Sequence, residues 1–556
     1  MNGIQAFLEI LARYDLPNLF GNPGTTELPL NDALATDDRF RYYFGIHEIP
    51  VMAMAHGFAS ASGRVGVVNL HTACGLGNAM GMLFNAFTAG TPLLVTAGQQ
   101  DARLRFGEPV LAGELVDVVK PWTKWAHEIQ RVEDLPDAVR RAIQTALTPP
   151  TGPVFLSFPL DVQLADASHL DLSPTAMLDR DVRPALKPLQ QAASILRQAK
   201  NPVILAGSRV TESGGCDALA KLAETLGCPV FAECPTAHGR WPMSPSHPLY
   251  FGPLPIWSPD VRERLKPFDV AFVVGMNLLT LYIHHEPARA IPEHLRLIHL
   301  DCNPWEIGKN FPVEVGIVGD PREGLIELQS MIESSIDENN RRERALEKQL
   351  LNNIHEGEIF KLKQKAIEQQ DRRPMSPLRM MTDLAEVLPS DTIIVDEAPT
   401  THQQVLERLG VINDPTSYFA HRGWALGWGI GCAIGVKIAK PDRPVLALIG
   451  DGSAMYGIQA LWSAAHHRIP IVVVICNNAN YQILKNCGRV MNLSHIADGN
   501  APGMAIQNPA IDFVKLAESL GVEAERISEP GDWQHRVVAA LRGDRPRLFD
   551  VSVDIA

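Results

Sequence analysis

The chain has 556 residues, 46% hydrophobic and 20% charged, enough to bury the cores of about three domains. Its net charge of −13 is spread along the sequence and argues against nucleic acid as the main partner. No apolar run reaches the roughly 18 residues of a membrane span. The N-terminus lacks a basic region and a cleavage site, so a cytoplasmic enzyme with no membrane partner is the expectation.

Residues 1 to about 165 alternate apolar strands, predicted at 65–70, 92–97 and 153–158, with helical stretches. That alternation predicts a parallel sheet covered by helices on both faces. Three features stand out in this unit. Asn22-Pro23-Gly24-Thr25-Thr26 forms a turn signal. Glu48 sits where an apolar helix begins, a place where a carboxylate also complements the helix dipole. His47-Glu48 is not a zinc-protease motif, because position 51 is Val51. His71 ends a strand, and the small residues after it, Thr72 to Asn78, open a helix.

A polar stretch, about 164–186, reads as a linker. A second α/β unit spans about 187–335, with strands at 203–206, 270–274 and 295–300. It contains two adjacent histidines, His284 and His285. The charged segment 336–373 is expected to be a solvated helix bridging two domains.

The third unit, about 376–556, has predicted strands at 392–395, 445–449, 471–476 and 548–553. Hydroxyls Thr400 and Thr401 follow the first of these, and His402 next to them reads as either an exposed histidine or a substrate contact. Gly429, Gly431 and Gly435 miss the G-x-G-x-x-G spacing of dinucleotide sites. Most informative is Gly450-Asp451-Gly452-Ser453, separated by an apolar strand from Asn477-Asn478. Two parallel strands would deliver Asp451 and Asn478 side by side at their carboxyl ends, the ligand edge of an open α/β sheet. Oxygen ligands from one Asp, one Asn and a backbone carbonyl suit Mg²⁺ completed by a diphosphate. Asp451, Asn478 and Asn480 are the candidate metal ligands. The eight cysteines include no C-x-x-C pair, which argues against zinc or redox motifs and for reduced thiols.

This pattern, with Asn478-Ala-Asn480-Tyr481, resembles the metal and diphosphate motif of thiamine diphosphate enzymes. The order of the three units resembles the decarboxylase and acetolactate synthase branch. His71 with its Gly-x-Gly-Asn-Ala-Met turn, and Asn22 to Thr26, resemble benzoylformate decarboxylases in particular. The resemblance implies three doubly wound parallel-sheet domains, at 1–165 (pyrimidine-binding), 187–335 (central, Rossmann-like) and 376–556 (diphosphate-binding). It implies thiamine diphosphate and Mg²⁺, with FAD not indicated unless the enzyme is acetolactate synthase-like. Glu48 would activate the aminopyrimidine ring from an apolar site, which would raise its pKa. His71, with His284 or His285, would shuttle protons, and the Thr25 hydroxyl would touch the substrate carboxylate. Asn22, Pro23, Gly24, Thr400, Thr401, Gly452, Ser453 and Tyr481 would line the cofactor. The Trp424 carbonyl would accept from its 4′-amino group, and Leu426 would be the wedge under the bent cofactor. Non-oxidative decarboxylation of a 2-oxo acid to an aldehyde is the implied reaction, with carboligation as a second outcome. A carboligase like acetolactate synthase is the alternative, and a silent cofactor-binding subunit the outside reading. Sites shared between chains of a homodimer or homotetramer follow from the same resemblance. The sequence departs from it after Tyr481, where Ile483 and Cys487 stand in a stretch that is small and aromatic in those enzymes.

Overall fold

The computed structural model describes every residue except 236–238, 288, 336–337, 404 and 556. It contains three six-stranded sheets. In the first, the strands lie in the order Arg41–Phe44, Asn18–Gly21, Gly66–Leu70, Leu93–Gln99, Val154–Pro159 and Trp125–Glu128. In the second the order is Val315–Val318, Arg296–Asp301, Val270–Val274, Pro202–Ala206, Val230–Ala232 and Tyr250–Pro253. In the third it is Tyr418–Ala420, Ile393–Glu397, Val445–Gly450, Val472–Asn477, Arg547–Ser552 and Glu523–Ile527. Every strand pair is parallel. The central strands are short runs of Val, Ile and Leu buried on both faces, as parallel sheets covered by helices require. The three-sheet α/β fold expected from the sequence is therefore the one observed.

Between the first two sheets the chain carries no helix or strand from residue 165 to 185. Between the second and third runs a 31-residue helix, Glu338–Glu368. It buries only Leu351, Leu362 and Ala366. Arg344 donates to the Thr225 carbonyl, and Lys348 pairs with Glu224, so its first half lies on the central unit. Leu362 and Ala366 join the core of the third. The start expected for this segment, Ile336–Asp337, lies outside the described residues.

The first and third sheets share one hydrophobic core. Its centre is the packing of helix Glu48–Ser62 on helix Gly429–Ala439. A Cβ on Gly435 would stand 1.9 Å from the Met54 carbonyl oxygen, and one on Gly57 would stand 2.2 Å from that of Cys432. The two backbones thus touch where side chains are missing. Of the glycines that missed a nucleotide-binding spacing, Gly431 and Gly435 serve this contact, while Gly429 lies against Ile449 and Glu397. Helix Glu48–Ser62 is buried from Pro50 to Ala59, which explains its lack of a polar face.

Candidate active site

Loops at the carboxyl ends of the first and third sheets gather the candidate residues. In the first sheet, strand Asn18–Gly21 runs into Asn22-Pro23-Gly24, and strand Gly66–Leu70 runs into His71. Glu48 begins its helix with 6% of its surface exposed. Its carboxylate is not in a purely apolar setting. Oε1 accepts from Asn22 Nδ2 at 3.1 Å and Oε2 from Asn78 Nδ2 at 3.0 Å. Gly75 lies close enough that a Cβ there would come within 3.0 Å of Oε1. Glu48 is thus clamped by two amides and a glycine. Asn78 lies on helix Thr72–Ala89, and nothing in the small residues around it signalled this role.

His71 has a partner that sequence reasoning missed. Its Nδ1 lies 2.8 Å from Oε2 of Glu27. The other Glu27 oxygen accepts from Thr26 Oγ1 and the Gly98 amide, both at 2.8 Å, and Oε2 also takes the Gly24 amide at 3.1 Å. An acceptor-only carboxylate makes Nδ1 the protonated nitrogen and leaves Nε2 to exchange protons. Gly24 is required here, because a Cβ would fall 2.0 Å from His71 Nδ1. The exposed Thr25 opens the short turn Thr25–Glu27 beside it. Directly after His71, Thr72 adopts φ +37°, an outlier for a β-branched residue, and its buried hydroxyl has no partner among the described residues.

In the third sheet, Gly450 and Cys476 are in register, so the loops after them lie side by side. Asp451 Oδ1 accepts from the Gly452 amide at 2.9 Å. Oδ2 is buried and has no hydrogen-bond partner among the described residues. Burial pushes the carboxyl up to about 6, opposed by the amides of Gly452 and Ala479. Ala479, at φ +52°, turns the chain between Asn478 and Asn480. Asn478 Oδ1 accepts from the Asn480 amide at 2.9 Å, and the Asn480 side chain is tied to the Asn478 carbonyl and to Lys485. The Tyr481 ring lies on Gly452, where a Cβ would be 2.6 Å from Cε1. Ser453 is buried in the same turn.

The loop after strand Ile393–Glu397 behaves differently from the expectation. Thr400 is half-buried, but Thr401 is fully buried with its hydroxyl against Cys476. His402 is not exposed to solvent, although it borders a cavity at this sheet edge. Its Nδ1 lies 2.8 Å from Asp396 and its Nε2 3.1 Å from Glu407. Burial opposes its charge, but Glu407 and Asp396 outweigh that and hold its pKa well above the usual value. Tyr418 donates to Asp396 at 3.0 Å and stacks on Trp241, whose Nε1 donates to Glu407. The neighbouring Glu397 accepts three amides, from Gly427, Trp428 and Gly429, at 2.9–3.1 Å. This carboxylate anchors the start of the helix that packs on Glu48's helix.

Between strand Tyr418–Ala420 and that helix lie Trp424 and the half-buried Leu426. Trp424 holds φ +61°, a conformation costing a non-glycine residue about 1–2 kcal/mol. Its amide donates to His421 Nδ1 at 3.0 Å. Asn85, fully buried on helix Thr72–Ala89, accepts from the Ala425 amide at 3.0 Å and donates to its carbonyl at 2.8 Å. Asn85 is one of two asparagines on this apolar helix, and no spacing in the sequence marks it out. Thr72, Gln403, Trp424 and Ala479 are left-handed non-glycines in these loops, and backbone strain of this kind is common at functional sites.

His284 and His285 lie in the central unit. His284 is exposed and 3.3 Å from Glu286, while His285 packs edge-on against Trp257 at 5.1 Å. No described contact brings either to His71. The nearby Tyr282 pairs instead with Cys487 on helix Gln482–Val490. At the point where the strand order of the central sheet reverses, Met276 closes on Gly207, where an added Cβ would stand only 2.3 Å from the Met276 Cβ. Glu233 caps both Ser208 and Asn277 there. A nucleotide cofactor would need that crevice.

The chemistry of the donor set decides which metal fits. Among the described residues, no group of three or more His, Cys, Asp or Glu is arranged to hold a metal. One buried carboxylate oxygen without a partner, beside an Asn side chain and a turn of backbone carbonyls, is a hard-oxygen set that suits Mg²⁺ rather than a thiolate or imidazole metal.

Comparison with known proteins agrees with this arrangement. Residues 1–118 match the N-terminal binding domain of thiamine pyrophosphate enzymes, 189–328 their central domain and 399–551 their C-terminal binding domain. A benzoylformate decarboxylase of Pseudomonas aeruginosa is 34% identical over 98% of both chains. A probable acetolactate synthase large subunit of Methanococcus aeolicus is 29% identical over 100% of this chain and 92% of its own. Among solved structures, a thiamine diphosphate-dependent 4-hydroxybenzoylformate decarboxylase of Rhodococcus jostii superposes with a TM-score of 0.86 at 30% identity, covering 100% of both chains.

Proposed function

The chain belongs to the thiamine diphosphate enzyme family, and on that premise we propose that it decarboxylates a 2-oxo acid without oxidation, releasing carbon dioxide and an aldehyde. Bound thiamine diphosphate supplies the electron sink that loss of carbon dioxide requires. The observation that carries the reading is a pair of buried carboxylates at two sheet edges. Glu48 is clamped by two amides, and Asp451 keeps one oxygen without a partner.

Asp451, Asn478 and the Asn480 carbonyl hold Mg²⁺, and Gly452, Ser453, Thr400 and Tyr481 receive the cofactor's diphosphate. Thr401 supports that loop from beneath. Glu48 holds a proton shared with the aminopyrimidine, and Asn22 and Asn78 fix the carboxylate in position. Pro23 and Gly24 form the floor beside it. The Trp424 carbonyl and Leu426 would contact the ring. Glu27 keeps the His71 proton on Nδ1, so Nε2 takes and returns protons during release of the aldehyde. Thr25 orients the substrate carboxylate. When a second carbonyl compound is supplied, a hydroxyketone forms instead of the aldehyde. The relatives include both decarboxylases and acetolactate synthases, and the higher identity is to a decarboxylase.

Each site lies between two chains of a homodimer, or of a homotetramer built from it. Glu48's hydrogen bonds all go to first-unit residues, and those of Asp451 stay in its own unit. Exposed apolar side chains flank both halves, among them Leu104, Phe106 and Val110 in the first unit and Met455, Tyr456 and Leu484 in the third. No helix among the described residues is long and apolar enough to cross a membrane. The cytoplasm is the proposed compartment. A panel of 2-oxo acids tests the activity, with thiamine diphosphate and Mg²⁺ added and carbon dioxide and aldehydes measured. Release from at least one acid, abolished in Glu48→Gln, is the expected result, and no release from any acid overturns the reading.

A further inference from the structure

Resting on the reading that residues 424–426 contact bound thiamine diphosphate, we propose that Arg422 and Glu233 form a positioning pair, through which the central unit holds the turn that receives the cofactor's ring. Arg422 stands at the entrance of that turn. On one side of it is His421, whose Nδ1 takes the Trp424 amide at 3.0 Å. On the other is Gly423, where a Cβ would meet Asn85 Oδ1 at 2.5 Å. The Arg422 side chain leaves its own unit. It is 3% exposed, with Nη2 3.3 Å from Glu233 Oε1 and Nη1 3.8 Å from Glu212 Oε1. Both carboxylates belong to the central unit, which lends no residue to the proposed cofactor contacts.

Glu233 is a fixed point. It is fully buried and follows strand Val230–Ala232. Oε2 accepts from the Ser208 amide at 3.0 Å and the Ser208 hydroxyl at 2.8 Å, and Oε1 accepts from the Asn277 amide at 3.2 Å. Bonds from the loops after two neighbouring strands therefore hold the carboxylate independently of Arg422. A second tie runs beside the first. Ser208 Oγ accepts from the Gly239 amide at 3.1 Å, and the Gly239 carbonyl accepts from the Ala420 amide at 3.0 Å. A Cβ on Gly239 would stand 2.9 Å from Arg422 Cδ, so the arginine stem runs where only glycine leaves room. Residues 420 and 422 are both fastened to the cluster around Glu233, and the chain enters the left-handed residue Trp424 from a set position. A buried ion pair often adds no net stability over apolar packing of the same volume; what it supplies instead is a defined geometry. Here that geometry is delivered just before the Trp424 carbonyl and Leu426.

The test is calorimetry on the full chain with Mg²⁺ present, comparing wild type with Arg422→Met, Arg422→Lys, Glu233→Gln and the double variant Glu233→Gln/Arg422→Met. Two probes are titrated: thiamine diphosphate, and inorganic pyrophosphate, which carries the diphosphate end without the rings. The dissociation constant for thiamine diphosphate is expected to rise about tenfold in Arg422→Met and in Glu233→Gln, a usual size for coupling between separate sites. Arg422→Lys keeps the charge and loses the fork, so its loss is expected to be smaller but measurable. Affinity for pyrophosphate should stay within about twofold of wild type throughout, and the double variant should bind thiamine diphosphate no more weakly than Arg422→Met, because the partner is already gone. Thiamine diphosphate affinity equal to wild type in Arg422→Met would overturn the proposal, and if that variant does not fold, the same result in Arg422→Lys would do so. A parallel loss for both probes would overturn it as well, since the pair would then serve the fold alone. Wild-type protein that does not bind thiamine diphosphate would instead overturn the reading beneath the proposal, and the proposal with it.

Discussion

The Nδ1 of His71 lies 2.8 Å from Oε2 of Glu27, a carboxylate that is 1% exposed and accepts three further hydrogen bonds. A buried acid this fully engaged does not turn to follow the imidazole; it dictates which nitrogen is protonated. Replacing it by Gln keeps the shape and lets the opposite tautomer form. Glu27→Gln is expected to lower kcat by about 10²-fold or more, with thiamine diphosphate affinity unchanged. Nitrogen NMR of labelled histidine should show the His71 proton moving from Nδ1 to Nε2. A kcat within twofold of wild type would contradict this role.

If each site draws Glu48 from one chain and Asp451 from another, two dead variants should rescue each other. Glu48→Gln and Asp451→Ala homodimers are each expected to be inactive. Unfolded together and refolded, they form mixed dimers in which one site carries both native residues and the other carries neither. About a quarter of wild-type activity should return. Recovery of none would place both residues in the same chain's site.

Metal dependence is read most directly from stability. Wild-type protein should unfold at higher temperature when Mg²⁺ and thiamine diphosphate are added together, gaining about 2.7 kcal/mol at a hundredfold excess over the dissociation constant. A chelator should reverse the gain. Asp451→Ala, which removes the buried oxygen without a partner, is expected to show no response to the pair. A full response in that variant would remove Asp451 from the metal site.

Two buried histidines set an acid limit. Burial, and then repulsion from His421, pushes His56 down to about 3, and burial pushes His421 down to about 4. Both rings pack against Trp428. The unfolded chain takes up protons on these groups near pH 6.5, where the folded chain does not. Stability is therefore lost as pH falls from about 6.5 toward 4, by about 2 kcal/mol per histidine at pH 5. Urea midpoints at pH 7 and pH 5 measure the slope, and His56→Phe should flatten it even though it lowers stability at pH 7.

The central strands were legible because they are apolar runs buried on both faces. Val445–Gly450 and Val472–Asn477 could be read directly, and their shared edge puts Asp451 beside Asn478 on sequence grounds alone. The edge strands were not legible. Glu523–Ile527 and Arg41–Phe44 mix exposed and half-buried positions, so their pattern looks like loop. In the site, the residues read from motifs were those whose spacing carries chemistry. Those missed were Glu27, Asn78, Asn85 and Glu397, whose partners lie far away in sequence or are backbone amides. His402 was misjudged for the same reason: Asp396 and Glu407, not its own neighbours' polarity, keep it inside.

The glycine contact between helices Glu48–Ser62 and Gly429–Ala439 has a mechanical meaning. In an assembly that splits every site across two chains, each chain lends its front half to one reaction centre and its back half to the other. Backbone locked to backbone leaves no slack between those halves.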